Sequence, residues 1–268
     1  MAVSVRPHAE VAERVRQDLA DHATALPWST PQKLALACRI LALEGHESGL
    51  AGQFTARADA AGTFWTLPFG VGFDEATEHN LIRVDDDLQP LDGAPMANPA
   101  VRFHLWIYRT RPEISCIIHT HPPHVSALSM IGEPLAVAHM DATPLYDDCA
   151  YLAEWPGVPV HDEEGRLISE ALGTKRAIQL AHHGQLAATG SVEEATVVAI
   201  QIERAARLHL LARAAGPIKE IEPERATRAH DFLLSPVVVN ATFAYYARRA
   251  LRVAPDCIAA DNVVTEDA

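Results

Sequence analysis

Ile117-Ile118-His119-Thr120-His121-Pro122-Pro123-His124 is the stretch whose reading decides the fold. An apolar run (Ile114, Cys116, Ile117, Ile118) leads directly into two histidines spaced by two. As a strand it alternates its side chains, so His119 and His121 leave one face about 7 Å apart along the chain. Pro122 and Pro123 end the ladder, because neither has a backbone N–H to donate. Two imidazoles at the end of a buried strand suit one divalent metal ion. A hydrogen-bonded histidine pair at a strand terminus suits the same eight residues, so a third ligand must decide.

Upstream of this strand, Asn98-Pro99 combines a helix cap with a first-turn proline, and Arg102, Phe103, Trp106 and Ile107 carry a helix to Arg111-Pro112. Further back, Ser29-Thr30-Pro31 opens a helix with Leu34, Ala37, Cys38 and Leu41 on one face, closed by Gly45. Gln53-Phe54-Thr55-Ala56-Arg57 and residues 63–67 form a hairpin across the turn at 59–62, and residues 81–84 add a strand. Asp85-Asp86-Asp87 lacks the ligand spacing of a calcium loop and reads as a solvated turn. The Pro68-Phe69-Gly70-Val71-Gly72 segment reads as a structural loop.

Downstream, residues 125–130 read as a short helix, 135–138 as a strand, 158–160 as an edge strand and 167–172 as a helix, while 141–157 have no regular pattern. Residues 177–180 form a second apolar strand ending at His182-His183-Gly184. This delivers the third histidine, on a turn that glycine allows to pack closely. Residues 186–188 continue the sheet, and Ser191-Val192-Glu193-Glu194 is a capping box opening a long helix broken at Gly216-Pro217. A Glu/Lys-rich link and a helix over 243–251 follow. Alternating strands and helices with short links predict one α/β domain over 29–216. A helical arm at 1–28 precedes it and a helical extension at 217–268 follows.

The chain has 268 residues, 49% of them apolar and 21% charged, enough for a sizeable core. A net charge of −13 argues against nucleic-acid and anionic-membrane partners, which need a basic face. The four cysteines are scattered, with no Cys-x-x-Cys pair, which suits reduced thiols. With no apolar run of about 18 residues, the protein reads as soluble and cytoplasmic.

Taken together, residues 30–215 resemble the class II aldolase/adducin family, the fold of the fuculose-phosphate aldolases. Gly49-Leu50-Ala51-Gly52-Gln53-Phe54-Thr55 resembles the family's Gly-Asn-x-Ser turn, and Arg102-Phe103-His104 matches the helix before the metal strand. His-x-His at 119/121 and His-His-Gly at 182–184 match its metal motifs. The resemblance implies a single three-layer α/β domain with a central, mainly antiparallel sheet flanked by helices. It also implies one divalent metal ion per chain (Zn, Mn or Fe(II)) on His119, His121 and His183, with His182 and His124 in supporting roles.

The departures carry as much information. Where family aldolases have Ser-Ser-Glu, this chain has Asn98-Pro99-Ala100, so the glutamate that ligates metal and moves protons falls on Ala100. The family's Pro-Thr-Gly is Pro68-Phe69-Gly70, and its Asn is Gln53. A buried sugar-phosphate dianion without those donors is costly. The expectation is therefore a non-phosphorylated, aromatic or apolar oxo or hydroxy acid, bound by Gln53, Phe69, Gly70 and Asn98. Arg57 or Arg102 would pair with its carboxylate.

Three functions follow from the resemblance. One is a metal-dependent carbon–carbon lyase, aldolase- or decarboxylase-like. Another is a non-haem Fe(II) oxygenase like the aminocoumarin-pathway enzymes, which form a prenylbenzoate; an Fe(II) triad normally includes a carboxylate, for which only Glu47 and Asp141 offer themselves. The last is a non-catalytic adducin-like interaction module. Family aldolases are ring-shaped homotetramers whose sites borrow a tyrosine from a neighbour, which points to Tyr245-Tyr246 as acid/base residues.

Overall fold

The β-branched run before the histidines lies at the centre of a seven-stranded sheet. The computed structural model describes residues 7–21, 23, 25–158 and 161–259. In chain order its helices are α1 (His8–Asp21), α2 (Thr30–Leu43), α3 (Arg102–Thr110), α4 (Pro123–Met130), α5 (Asp162–Leu172), α6 (Val192–Ala215), α7 (Pro223–Leu233) and α8 (Pro236–Val253). The strands are β1 (Gln53–Arg57), β2 (Phe64–Thr66), β3 (Ile82–Val84), β4 (Cys116–Thr120), β5 (Cys149–Leu152), β6 (Ala177–Leu180) and β7 (Gln185–Thr189). Their spatial order is β3-β2-β1-β4-β7-β6-β5; every pair is antiparallel except β5–β6.

Strand alternation sorts the core into two layers. Phe54, Ala56, Cys116, Ile118 and Ala187 face α2, α6 and α8, in a cluster that includes Leu34, Leu41, Val198 and Phe243. Ile117, Ile178, Leu186 and Ala188 face α3 and α5, with Phe103, Ile107, Ile168 and Leu172. The architecture is the three-layer, mainly antiparallel α/β domain expected. The predicted caps are made: Ser29 forms a capping box with Gln32, Asn98 caps the 3-10 turn that leads into α3, and Ser191 Oγ accepts the Glu194 N–H at 3.1 Å.

The structure corrects the reading at three places. Residues 135–138 are not a strand. Their backbone groups bond to side chains and to the link before α7: the Leu135 N–H donates to Gln179 Oε1 (3.1 Å), the Ala136 N–H to His209 Nδ1 (3.2 Å), and Val137 O accepts from Ile221 (2.9 Å). The irregular stretch at 141–157 holds β5, whose parallel pairing with β6 leaves no local hairpin signal. The C-terminal helix is longer than the 243–251 pattern, and α7 precedes it. Of the proposed edge strand at 158–160, residues 159 and 160 lie outside the described residues. All four cysteines are free thiols. Among the described residues no helix is long and apolar enough to cross a membrane.

Candidate metal centre

His119 leaves β4 on the α3 side, and His121 follows just past the strand's end. His183 arrives from the neighbouring β6–β7 turn, whose Leu180 O accepts the His183 N–H at 3.2 Å. That turn is pressed against β4: a Cβ on Gly184 would stand 2.4 Å from Thr120 O and 2.7 Å from His121 Cδ2, so only glycine fits. His182 takes a left-handed φ of 55° and points its ring to solvent.

One ligand nitrogen from each of the three histidines lies within 4.8 Å of the others, and the rings are 4.5–4.7 Å apart at their centroids. His119 Nε2 and His121 Nε2 are 2.9 Å apart. Two nitrogens on one zinc-type ion at about 2.0–2.1 Å stand roughly 3 Å apart, so the pair has a metal's spacing. His119 Nδ1–H donates to Gln185 O at 2.8 Å, which fixes the tautomer and leaves the Nε2 lone pair facing the cluster. The Phe103 ring stands edge-on to His119 at 5.1 Å and holds it in place. His183 Nδ1 is buried with no hydrogen-bond partner among the described residues, as an atom left for a ligand would be.

The electrostatics agree. Burial, then the neighbouring His183 and His121, lowers the His119 pKa well below its usual value. Burial, then His121, lowers His183 to about 4, and burial lowers His121. All three imidazoles are therefore neutral donors near neutral pH, the form that binds metal. The donor set fits one divalent ion. Among the described residues no carboxylate joins it.

Gln53, Gly70 and Asn98 gather in one crevice, with Phe69 exposed. Gln53 is the residue directly across from His119 in the β1–β4 ladder. Ala100 lies in a 3-10 turn, its N–H bonded to Asn98 Oδ1 at 3.0 Å. Arg57 lies at the far end of β1, its guanidinium donating to Ile114 O (2.7 Å) and Tyr108 O (3.0 Å) and stacked over the Tyr108 ring at 4.7 Å. Arg102 pairs with Asp162 at 3.7 Å.

Glu47 and Asp141 do not approach the histidines: Glu47 is exposed, and Asp141 pairs with Arg204. His124 Nδ1 lies 2.5 Å from Glu203 Oε1, and Glu203 also caps the start of α4. Tyr245 and Tyr246 lie on α8 beside Arg249 and line a groove with Leu19 of α1.

A supporting layer of buried polar side chains lies behind the cluster. His46 Nδ1 meets Thr120 Oγ1 at 3.0 Å, and Gln185 Nε2 donates to Thr120 Oγ1 (3.1 Å) and Ala199 O (3.0 Å). On the other face His104 Nδ1 meets Thr55 Oγ1 at 2.9 Å. The only sequence signal for Gln185 was its place after His-His-Gly, since its role runs through a backbone carbonyl.

Comparison with known proteins gives a consistent picture. The family model for the class II aldolase and adducin N-terminal domain matches residues 32–210. Decarboxylase NovR of Streptomyces niveus is 32% identical over 196 residues, 72% of this chain and 73% of that protein. A 4-hydroxy-3-prenylphenylpyruvate oxygenase/4-hydroxy-3-prenylbenzoate synthase of Streptomyces roseochromogenus subsp. oscitans is also 32% identical, over 72% of this chain and 71% of that one. The L-fuculose 1-phosphate aldolase structure from Glaciozyma antarctica PI12 superposes with a TM-score of 0.79 at 28% identity, covering 87% of this chain and 93% of that one.

Proposed function

The chain belongs to the class II aldolase and adducin family, and from that premise we propose that it is a metal-dependent lyase. It cleaves a carbon–carbon bond, aldolase- or decarboxylase-like, in a non-phosphorylated, aromatic or apolar oxo or hydroxy acid. The observation that carries this reading is the convergence of three neutral histidines with no carboxylate beside them among the described residues, and with Ala100 in the glutamate's place. His119, His121 and His183 hold one Zn, Mn or Fe(II) ion per chain. When bound, the ion supplies positive charge that polarises a chelating carbonyl or carboxylate, undiminished by an anionic ligand.

The chain's own residues do the rest. Gln185 O holds His119 in its ligating tautomer, and Gly184 lets His183 close on β4. Gln53, Phe69, Gly70 and Asn98 bind the substrate beyond the histidines. Arg57 is engaged with the main chain and serves the fold. Tyr245 and Tyr246 are the proposed proton donors, brought to the site by α8 of a neighbouring copy in a homotetramer. Burial, then Glu44, raises the Tyr246 pKa, so this phenol keeps a proton to give.

The relative named as an oxygenase and synthase favours a second reading, in which the ion is Fe(II) and dioxygen a co-substrate. Anaerobic reconstitution with Fe(II), Mn(II), Zn(II) or Co(II), followed by 4-hydroxyphenylpyruvate and mandelate in an oxygen electrode, separates the two. Turnover under nitrogen with Mn(II) or Zn(II) is the expected result. Oxygen uptake that requires Fe(II) would overturn the lyase in favour of the oxygenase. A protein that neither retains nor rebinds metal would instead be an adducin-like interaction module.

A further inference from the structure

We infer that the crevice lined by Gln53, the neighbour of His119, receives a neutral hydroxyl group of the substrate on Gln53 Oε1, and that it rejects phosphate and carboxylate. The inference rests on the proposed function and names what that same site prefers. Gln53 lies directly opposite His119 in the β1–β4 ladder, so the two side chains leave the same face as neighbours. Main-chain carbonyls dictate its orientation: Nε2 donates to Leu50 O at 3.3 Å and to Ala51 O at 2.6 Å. A half-turn of the amide would set its oxygen against both carbonyls, so its donor and acceptor ends are not interchangeable.

Oε1 is left as an acceptor. Gln53 is only 5% exposed, and its buried Oε1 meets no donor among the described residues. Leaving such an atom without a donor is costly, so a ligand that brings one gains.

Asn98 repeats the polarity. Its Oδ1 accepts the Ala100 N–H at 3.0 Å, and its Nδ2 donates to Leu50 O at 3.0 Å. The two amides that replace polar contacts of the phosphorylated-substrate sites thus both donate to Leu50 O. The main-chain donors on either side of Gly70 are also engaged, Phe69 N–H on Met96 O (2.7 Å) and Val71 N–H on Pro68 O (3.3 Å). Among the described residues no Lys, Arg or His lines the crevice, and its free volume is ≈ 10 Å³. That is room for one water-sized group. An anion there would meet an acceptor with no counter-charge. A hydroxyl matches the crevice in size, in charge and in hydrogen-bond sense.

Calorimetric titration of the Zn(II)-loaded full chain tests this, using phenylpyruvate, its 2-, 3- and 4-hydroxy derivatives, and the pair glycolate and phosphoglycolate. One hydroxy isomer is expected to bind roughly tenfold tighter than phenylpyruvate, as one hydrogen bond to a buried acceptor allows. Phosphoglycolate should bind no tighter than glycolate. Gln53→Met should bring the ratio of hydroxy-acid to phenylpyruvate affinity down to about one, whatever it does to affinity for both. Equal affinity for all the keto acids, a preference that survives Gln53→Met, or tighter binding of phosphoglycolate overturns the inference and leaves the proposed function standing. If no keto acid binds the loaded protein, the proposed function and the inference fall together. The wild-type comparison decides the matter even if circular dichroism shows Gln53→Met unfolded.

Discussion

Gly184→Ala tests whether the β6–β7 turn is what brings His183 to the pair on β4. The added Cβ would meet Thr120 O at 2.4 Å, His121 Cδ2 at 2.7 Å and His121 Cα at 3.2 Å. Comfortable contacts to carbon lie near 3.5 Å, so the turn must retreat by roughly 1 Å. Thr120 cannot yield, because β4 is paired on both sides and the Thr120 hydroxyl is held by His46 and Gln185. The φ at Gly184 is outside the left-handed region, so the penalty is steric alone. Overpacking of this kind costs about 1–3 kcal/mol. Displacing one ligand of three should also cut metal affinity about 10–100-fold, as disturbed supporting contacts do.

Urea unfolding measures the first effect, and Zn(II) competition against a chromophoric chelator the second. Gly190→Ala is the control, because its Cβ meets only Glu113 O at 3.9 Å; it should stay within about 1 kcal/mol of wild type. A Gly184→Ala protein with wild-type stability and wild-type metal affinity would refute the claim that close packing of this turn builds the site.

Removing His183 outright, as His183→Ala, should abolish stoichiometric metal binding while circular dichroism stays native; retention of one tight metal per chain would show that the ion sits elsewhere. Arg57→Lys should cost about 1–3 kcal/mol of stability through its two carbonyl bonds and its stacking, with substrate affinity unchanged, whereas a raised KM at constant stability would return Arg57 to the binding site. Burial lowers both His46 and His104 to about 3. Between about 6.5 and about 3 the unfolded chain therefore takes up two protons that the folded chain refuses, so stability is lost as pH falls, by up to about 2.7 kcal/mol per unit. A urea midpoint that stays constant from pH 6.5 to 4 would contradict this.

Local chemistry made the centre of the fold readable. Ile114, Cys116, Ile117 and Ile118 make an apolar strand, prolines end it, and period-two alternation puts His119 and His121 on one face. Capping residues at Ser29 and Ser191 were equally plain, because a cap acts over three residues. β5 was hidden because parallel pairing has no adjacent turn to announce it, and residues 135–138 imitated a strand because apolar content does not say where backbone bonds go.

The sequence by itself determined the family and the layered sheet, and it singled out His119, His121 and His183, which the fold brings together. Only the tertiary structure decided which groups those histidines meet. Gln185 O orients His119 across 66 residues of chain. Arg57 is engaged with carbonyls contributed by Ile114 and Tyr108. Gln53 shows an acceptor where its amide offered both senses. The physical reason is that hydrogen-bond direction and burial belong to pairs of groups brought together by the fold, and no single residue carries its partner in the sequence.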